Sequence, residues 1–148
     1  MSLLDFVIAS EARQSRFWKK VKENIQKIQE ILIRYTKIDY AFLFGSFLKH
    51  PLHDSDVDIL LGTSGEASEQ LDLAMELELV LKRKVDIVLA AEASCEIVLN
   101  ALSKGFPLVI NDKLSLKRDY FKNFHLFDDG TMLRKLRTAR IKSKFHYA

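Results

Sequence analysis

The sequence predicts an α/β or α+β domain in which helices pack on a small sheet of about four strands. Short segments rich in branched and aromatic residues alternate with longer amphipathic segments along the 148-residue chain. The chain has only five glycines and two prolines, so those present mark turns. No internal repeat or low-complexity segment interrupts the pattern. We therefore expect one domain, residues 1–148, with its core at about 38–110.

Composition narrows the class of protein. Apolar residues make up 48% of the chain and charged residues 29%, which is typical of a soluble globular protein. No apolar run is long enough to span a bilayer, and the N-terminus lacks the basic region of a signal peptide. Cys95 is the single cysteine, which excludes an internal disulfide. These features predict a cytoplasmic protein that does not contact membranes.

Charge is unevenly distributed along the chain. Residues 38–112 contain 5 Lys and Arg against 13 Asp and Glu, whereas residues 113–148 contain 10 against 3. An acidic centre suits divalent cations. The basic flanks would suit an anionic partner such as RNA, but solvated helix faces give the same pattern, and we favour that interpretation.

Periodicity assigns the elements in chain order. An apolar stripe at spacings of three and four predicts a helix at about 11–36, and this stripe is either core or a dimer seam. The other predicted elements are a buried strand at 38–44 that ends at Gly45, a strand at 56–61 that ends at Gly62, a helix at 66–83, a strand at 84–89, a helix at 92–104, a strand at 106–110, and two helices at 113–127 and 131–145 separated by residues 128–130.

The second predicted strand carries two acidic residues in an alternating pattern. Side chains alternate between the two faces of a strand, so Asp56 and Asp58 share one face and Val57 and Ile59 the other. Carboxylates that share a face repel each other unless a cation lies between them. Mg²⁺ prefers such oxygen ligands. A solvated strand end is the alternative, and it is favoured for this pair considered alone.

Asp86 lies within an otherwise apolar third strand. A buried charge without a partner is strongly disfavoured, so we expect a metal shared with Asp56 and Asp58 to explain it. Neighbouring strands lie about 4.8 Å apart, close enough for three carboxylates to meet. The alternative is an edge-strand carboxylate that faces water.

Gly45 and Ser46 follow the first strand directly. A glycine allows a backbone to approach a ligand closely. If a short helix begins at Ser46, its free N–H groups and the hydroxyl could hold a phosphate. A plain turn with a helix cap is the alternative, and a cap and a phosphate site can coexist.

Together these residues form an ordered set that resembles a known family. Gly45-Ser46, nine intervening residues, Asp56-Val57-Asp58 and a later Asp86 are similar to the minimal nucleotidyltransferases of the DNA polymerase β-like superfamily. The resemblance covers about residues 38–110, including the stretch SKGFPLVI. It implies an α+β domain with a small mixed sheet like the polymerase β palm, and extra N- and C-terminal helices.

The resemblance also implies roles for these residues. Asp56 and Asp58 would bind two Mg²⁺ ions, and Asp86 would bind the ion nearer the acceptor and help to deprotonate its hydroxyl. Gly45 and Ser46 would bind the phosphates of an NTP, for which we expect ATP.

Some minimal nucleotidyltransferases are antitoxins that transfer AMP to a tyrosine of a HEPN-type toxin, and the stretch RDYFKNFHLFDD is loosely similar to their tails. The sequence therefore predicts a magnesium-dependent nucleotidyltransferase whose partner is a HEPN-type toxin. A binding module that neutralises its partner by contact alone is the alternative. Transfer to RNA or to a small molecule is less favoured. The sequence leaves self-association open.

Overall fold

The computed structural model describes the backbone of residues 3–49 and 55–146. Side chains are described for residue 16 and for residues 19–49, 55–66, 68–131 and 133–140. Within these parts of the chain the elements are, in order, α1 (Leu3–Ile33), β1 (Ile38–Phe44), α2 (Ser46–Lys49), β2 (Val57–Thr63), α3 (Ala67–Leu81), β3 (Val85–Leu89), α4 (Cys95–Lys104), β4 (Phe106–Ile110) and α5 (Lys113–His146).

The four strands form one mixed sheet in the order β3-β2-β1-β4. β1 lies in the centre and pairs antiparallel with both β2 and β4. β2 pairs parallel with β3, which forms one edge of the sheet. The predicted α+β class and the small mixed sheet are confirmed.

Successive side chains of a strand point to opposite faces of the sheet, so the buried strands present apolar side chains on both faces. Helices cover these side chains on each face and form two apolar layers. The first layer joins the sheet to α1 and α3, and the second joins it to α4 and α5. Buried residues of the first layer include Ile28, Leu32, Leu43, Ile59, Leu73 and Leu77, and those of the second are Tyr40, Phe42, Leu60, Ala90, Val98 and Ala101.

The apolar stripe of α1 is part of the core. Val21, Ile28 and Leu32 are at most 5% exposed and pack toward the sheet rather than outward. The stripe is therefore core and not a free dimer seam. α1 begins well before the predicted residue 11, at Leu3, and ends at Ile33.

Two glycine-based boundaries predicted from the sequence are wrong. The two expected C-terminal helices are one 34-residue helix, α5, which runs through Asp128, Asp129 and Gly130. A glycine inside a helix costs only about 1 kcal/mol, so it does not end a helix by itself. β2 likewise continues past Gly62, because this glycine makes room for the ring of Tyr40 on the neighbouring strand.

Tyr40 ties the sheet to α5. Its side chain is fully buried, and its hydroxyl donates a hydrogen bond of 2.7 Å to the Asp119 carboxylate. Burial, reinforced by that bond, raises the pKa of the Tyr40 hydroxyl far above its ordinary value. α5 is therefore held to the domain by a partly buried hydrogen bond in addition to apolar packing.

We expect Tyr40→Phe to lower the free energy of unfolding by about 1–2 kcal/mol, because the substitution removes the hydrogen bond that the fully buried Tyr40 side chain makes to a charged, partly exposed acceptor. Urea unfolding measures this change. Tyr35→Phe is the matched control, since the Tyr35 hydroxyl bonds to Glu76 in a partly buried position and its loss should cost less. A Tyr40→Phe protein as stable as the wild type would contradict this account.

Candidate active site

The turn after β1 brings the backbone back toward β2. Gly45 has a φ of +82°, a left-handed conformation that residues with a Cβ rarely adopt. α2 then begins at Ser46, which is the condition set for phosphate binding at this turn, and the Ser46 side chain is exposed. Phe47 is fully buried in the first apolar layer, and the Arg83 guanidinium lies 5.3 Å from the centre of its ring. These contacts fix the position of the Gly45-Ser46 turn.

Asp58 lies in β2 on the face that also carries Leu60, and Asp56 directly precedes the strand. Val57 and Ile59 between and after them are fully buried in the first apolar layer, whereas both aspartates are partly exposed. Leu60 belongs to the second layer. Burial alternates along residues 56–60 as predicted, and the Asp58 carboxylate points to the α4 and α5 side of the sheet.

Asp86 stands beside Asp58 across the parallel pair of β2 and β3. The two residues are register partners, and Val57 and Val85 are the preceding pair. Residues that pair directly in a sheet point to the same face, so Asp86 shares the face of Asp58 and Asp56. The main chain at this point is held by the Val57 N–H, which donates to the Lys84 carbonyl at 2.9 Å.

Gly45 allows the turn to pass directly over the carboxylate of Asp58. A Cβ atom placed on Gly45 would collide with the Asp58 carboxylate and would lie 3.3 Å from its Cγ. Phe44, the residue before the turn, is the register partner of Asp58. The Gly-Ser turn and the acidic pair are therefore adjacent in space, as their order in the sequence predicted.

The electrostatics of Asp58 reflect this crowding. Partial burial is the main factor that raises the pKa of the Asp58 carboxyl, and the negative charges of Asp86 and then Asp56 raise it further. Lys84 acts in the opposite direction. A carboxylate whose charge is disfavoured by two neighbouring carboxylates is stabilised by any cation that binds among them.

The prediction that Asp86 is a buried charge is wrong. β3 is an edge strand, and the Asp86 side chain is 46% exposed, with the Lys84 ammonium 4.0 Å from its Oδ1. An apolar run predicted burial on both faces, but an edge strand is covered less completely than a central one. Asp86 is therefore included in the candidate site because it is the register partner of Asp58, not because it is buried.

The carboxylates suit a hard divalent cation by type, because all their donor atoms are oxygens. Among the side chains that the structure describes, however, no three from His, Cys, Asp or Glu are gathered closely enough to hold a metal ion. Like charges repel, so carboxylates that share a face keep their oxygens apart. Asp58 and Asp86 nevertheless share one face of the sheet. Their oxygen donors and negative charges are those that a divalent cation requires.

Sequence reasoning missed Lys84 as part of this site. It precedes Asp86 by two residues, so its side chain lies on the same face, and it affects the charge state of Asp58. This spacing was visible in the sequence. Residues 50–54, which connect α2 to β2, lie outside the described residues.

The mixed sheet carries Asp58 on β2, Asp86 beside it on β3 and a Gly-Ser turn above, which is the arrangement expected from the resemblance to nucleotidyltransferases. The Polymerase beta, Nucleotidyltransferase family model matches residues 26–114, more than half of the chain, and the protein belongs to this family. A comparison with curated protein sequences finds no match.

Solved structures share the fold. A chain of a toxin–antitoxin complex with AMP-PNP is 22% identical, with a TM-score of 0.65 over 80% of this chain and 98% of that chain. A chain of a complex between a tri-AMPylated HEPN toxin of Shewanella oneidensis and an MNT antitoxin is 21% identical, with a TM-score of 0.63 over 81% and 97%. A chain of the MntA–HepT toxin–antitoxin complex is 20% identical, with a TM-score of 0.62 over 81% and 97%.

Within the part of the chain that the structure describes, no helix has the length and apolar content needed to cross a bilayer. α1 and α5 are the longest helices there, and both carry charged residues along much of their length.

Proposed function

We propose that this protein is a magnesium-dependent nucleotidyltransferase that transfers AMP from ATP to a hydroxyl group of a partner protein. The observation that carries the proposal is the arrangement of Asp58, its register partner Asp86 and the Gly45 backbone above it. Membership of the nucleotidyltransferase family supports the reaction type.

The proposed division of labour follows from the type and place of each residue. Asp56 and Asp58 would hold two Mg²⁺ ions together with Asp86. When bound, these ions would neutralise the triphosphate and lower the pKa of the attacking hydroxyl. The N–H groups of the Gly45-Ser46 turn and the Ser46 hydroxyl would donate hydrogen bonds to phosphate oxygens.

In the proposed reaction, the acceptor oxygen forms a bond to the α-phosphorus while the bond from that phosphorus to the bridging oxygen breaks. Pyrophosphate leaves with the electron pair of the broken bond. Asp86 is the candidate to take the hydroxyl proton, because its half-exposed carboxylate can exchange that proton with solvent.

We propose that the acceptor is a tyrosine of a HEPN-type toxin and that the protein acts as its antitoxin. Solved structures with the same fold include an MNT antitoxin in complex with a tri-AMPylated HEPN toxin, and a toxin–antitoxin complex with AMP-PNP. A tyrosine hydroxyl matches the chemistry required of the acceptor.

The test combines the purified protein, α-³²P-ATP, Mg²⁺ and the protein encoded by the neighbouring gene. Label on the partner tyrosine that disappears with Asp58→Asn is the expected result. Neutralisation of the partner by wild type and Asp58→Asn alike, without label, would instead support a module that acts by contact alone.

Ser46→Ala should raise the apparent KM for ATP by about ten-fold or more, because a hydrogen bond to a charged group such as a phosphate is worth at least about 1.5 kcal/mol. Ser46 is exposed, so the fold should be unaffected. Steady-state kinetics at varied ATP measure this change, with Ser94→Ala, in the α4 cap, as a control outside the site. An unchanged KM for ATP would count against a phosphate-binding role for the Ser46 hydroxyl.

A further inference from the structure

An apolar cleft of about 410 Å³ opens between the sheet and the first half of α5. It is lined by Phe42, Leu102, Leu116, Lys117, Tyr120 and Phe121. Phe121 is 57% exposed and Tyr120 is 36% exposed, and their rings pack edge to face with centroids 5.9 Å apart. Contiguous exposed apolar surface around a cavity is typical of a binding site.

The cleft lies on the same face of the sheet as the three aspartates. Phe42 and Leu60 are register partners in the second apolar layer, and two residues further on Phe44 pairs with Asp58. Two residues along a strand span about 7 Å. The cleft therefore lies on the β1 side of Asp58, where the Gly45-Ser46 turn also lies. Asp86 lies on the opposite side of Asp58, on β3.

Another cavity of this face is less suitable for the same ligand. A polar cavity of about 370 Å³, lined in part by Gly62, Thr63, Arg118 and Lys122, lies at the far end of β2. Thr63 is five residues from Asp58, or about 16 Å along the strand. An NTP with its α-phosphate beside Asp58 would not reach that far with its base.

We propose that the apolar cleft holds the purine base of the NTP by stacking on Tyr120 and Phe121. This inference rests on the proposed nucleotidyl transfer. A triphosphate at the Gly45-Ser46 turn with its α-phosphorus beside Asp58 extends its nucleoside along one side of the site. The ribose bridges a distance comparable to that between Phe44 and Phe42 and brings the base to the cleft.

The chemistry of the cleft favours a purine. Its walls are aromatic and aliphatic, and the larger ring system of a purine gains more from stacking than a pyrimidine does. Lys117 is the charged residue at the cleft, and an ammonium group only donates hydrogen bonds. It can therefore pair with the acceptor atoms on a purine edge. The acceptor hydroxyl would approach from the β3 side, where Asp86 lies.

The test is calorimetric binding in Mg²⁺ with two probes, α,β-methylene-ATP, which cannot release pyrophosphate, and inorganic tripolyphosphate, which has no base. We expect Phe121→Ala and Tyr120→Ala each to weaken binding of the ATP analogue about ten-fold, the size of one lost stacking contact. Binding of tripolyphosphate should stay within about two-fold. The wild type should prefer the adenine analogue to its cytosine counterpart.

Leu136→Ala is the matched control, because Leu136 is 58% exposed on the same helix and outside the cleft. It should bind both probes like the wild type. Two results would overturn the purine site while leaving the transferase proposal intact. One is unchanged affinity of both aromatic variants for the ATP analogue. The other is equal affinity of the wild type for the adenine and cytosine analogues. Failure of the wild type to bind either probe would overturn both proposals.

Discussion

Asp58→Asn should reduce AMP transfer by at least about 10²–10³-fold while the domain stays folded. Asp58 stands at the centre of the site, with Asp86 beside it in register and the Gly45 backbone above it. An amide has the same shape as the carboxylate but lacks the charge that a divalent cation requires. Transfer of label from α-³²P-ATP measures the loss.

The same substitution should slightly stabilise the protein in the absence of divalent metal. Burial and the charges of Asp86 and Asp56 raise the pKa of Asp58 in the folded state. The folded protein therefore binds its proton more tightly than the unfolded chain does, and wild-type stability falls as pH rises through the titration of Asp58. The stability gained by Asp58→Asn should be small below about pH 4 and larger at pH 7.

Asp72→Asn is the control for this pair of measurements, because Asp72 is an exposed aspartate of α3. It should change neither transfer nor stability measurably. Full Mg²⁺-dependent transfer by Asp58→Asn would remove the site assignment. A large loss of stability at pH 7 in that variant would contradict the electrostatic account of Asp58.

Gly45→Ala is expected to abolish transfer and to destabilise the fold by about 1–3 kcal/mol. The φ of +82° at this residue is unfavourable for alanine, and the new methyl group would collide with the Asp58 carboxylate. Either the turn moves away or Asp58 rotates out of place, and both disrupt the site. Urea unfolding and label transfer measure the two effects separately.

Gly130→Ala is the control for Gly45→Ala, because the same change of glycine to alanine should here have the opposite effect on stability. Gly130 lies within α5, and the nearest atom to a Cβ there is the Nη2 of Arg134 at 3.8 Å. Alanine should therefore stabilise the helix by up to about 1 kcal/mol and leave transfer unchanged. A Gly45→Ala protein that behaves like Gly130→Ala would show that the close approach to Asp58 is unimportant.

The sequence predicted the elements that periodicity and composition determine locally. The strands at 38–44 and 106–110 match β1 and β4 as observed. The shared face of Asp56 and Asp58 followed from alternation alone. The short helix at Ser46 was considered only as a condition for phosphate binding, because four residues carry too little periodicity to predict a helix.

What the sequence could not predict depends on tertiary neighbours. Gly62 continues a strand because Tyr40 packs over it from β1, a contact between residues 22 positions apart. The edge position of β3, and hence the exposure of Asp86, depends on strand order, which no local pattern encodes. The aromatic cleft likewise forms only when α5 crosses the sheet near Phe42.

The most direct test of whether aspartates from β2 and β3 form one metal centre is the binding of Mn²⁺, a paramagnetic substitute for Mg²⁺. Electron paramagnetic resonance measures this binding to the wild type, Asp58→Asn and Asp86→Asn. We expect each single substitution to weaken Mn²⁺ binding at least about ten-fold, since charge and ligand count set the affinity for hard cations. Asp86→Asn that binds Mn²⁺ as tightly as the wild type would contradict the shared centre.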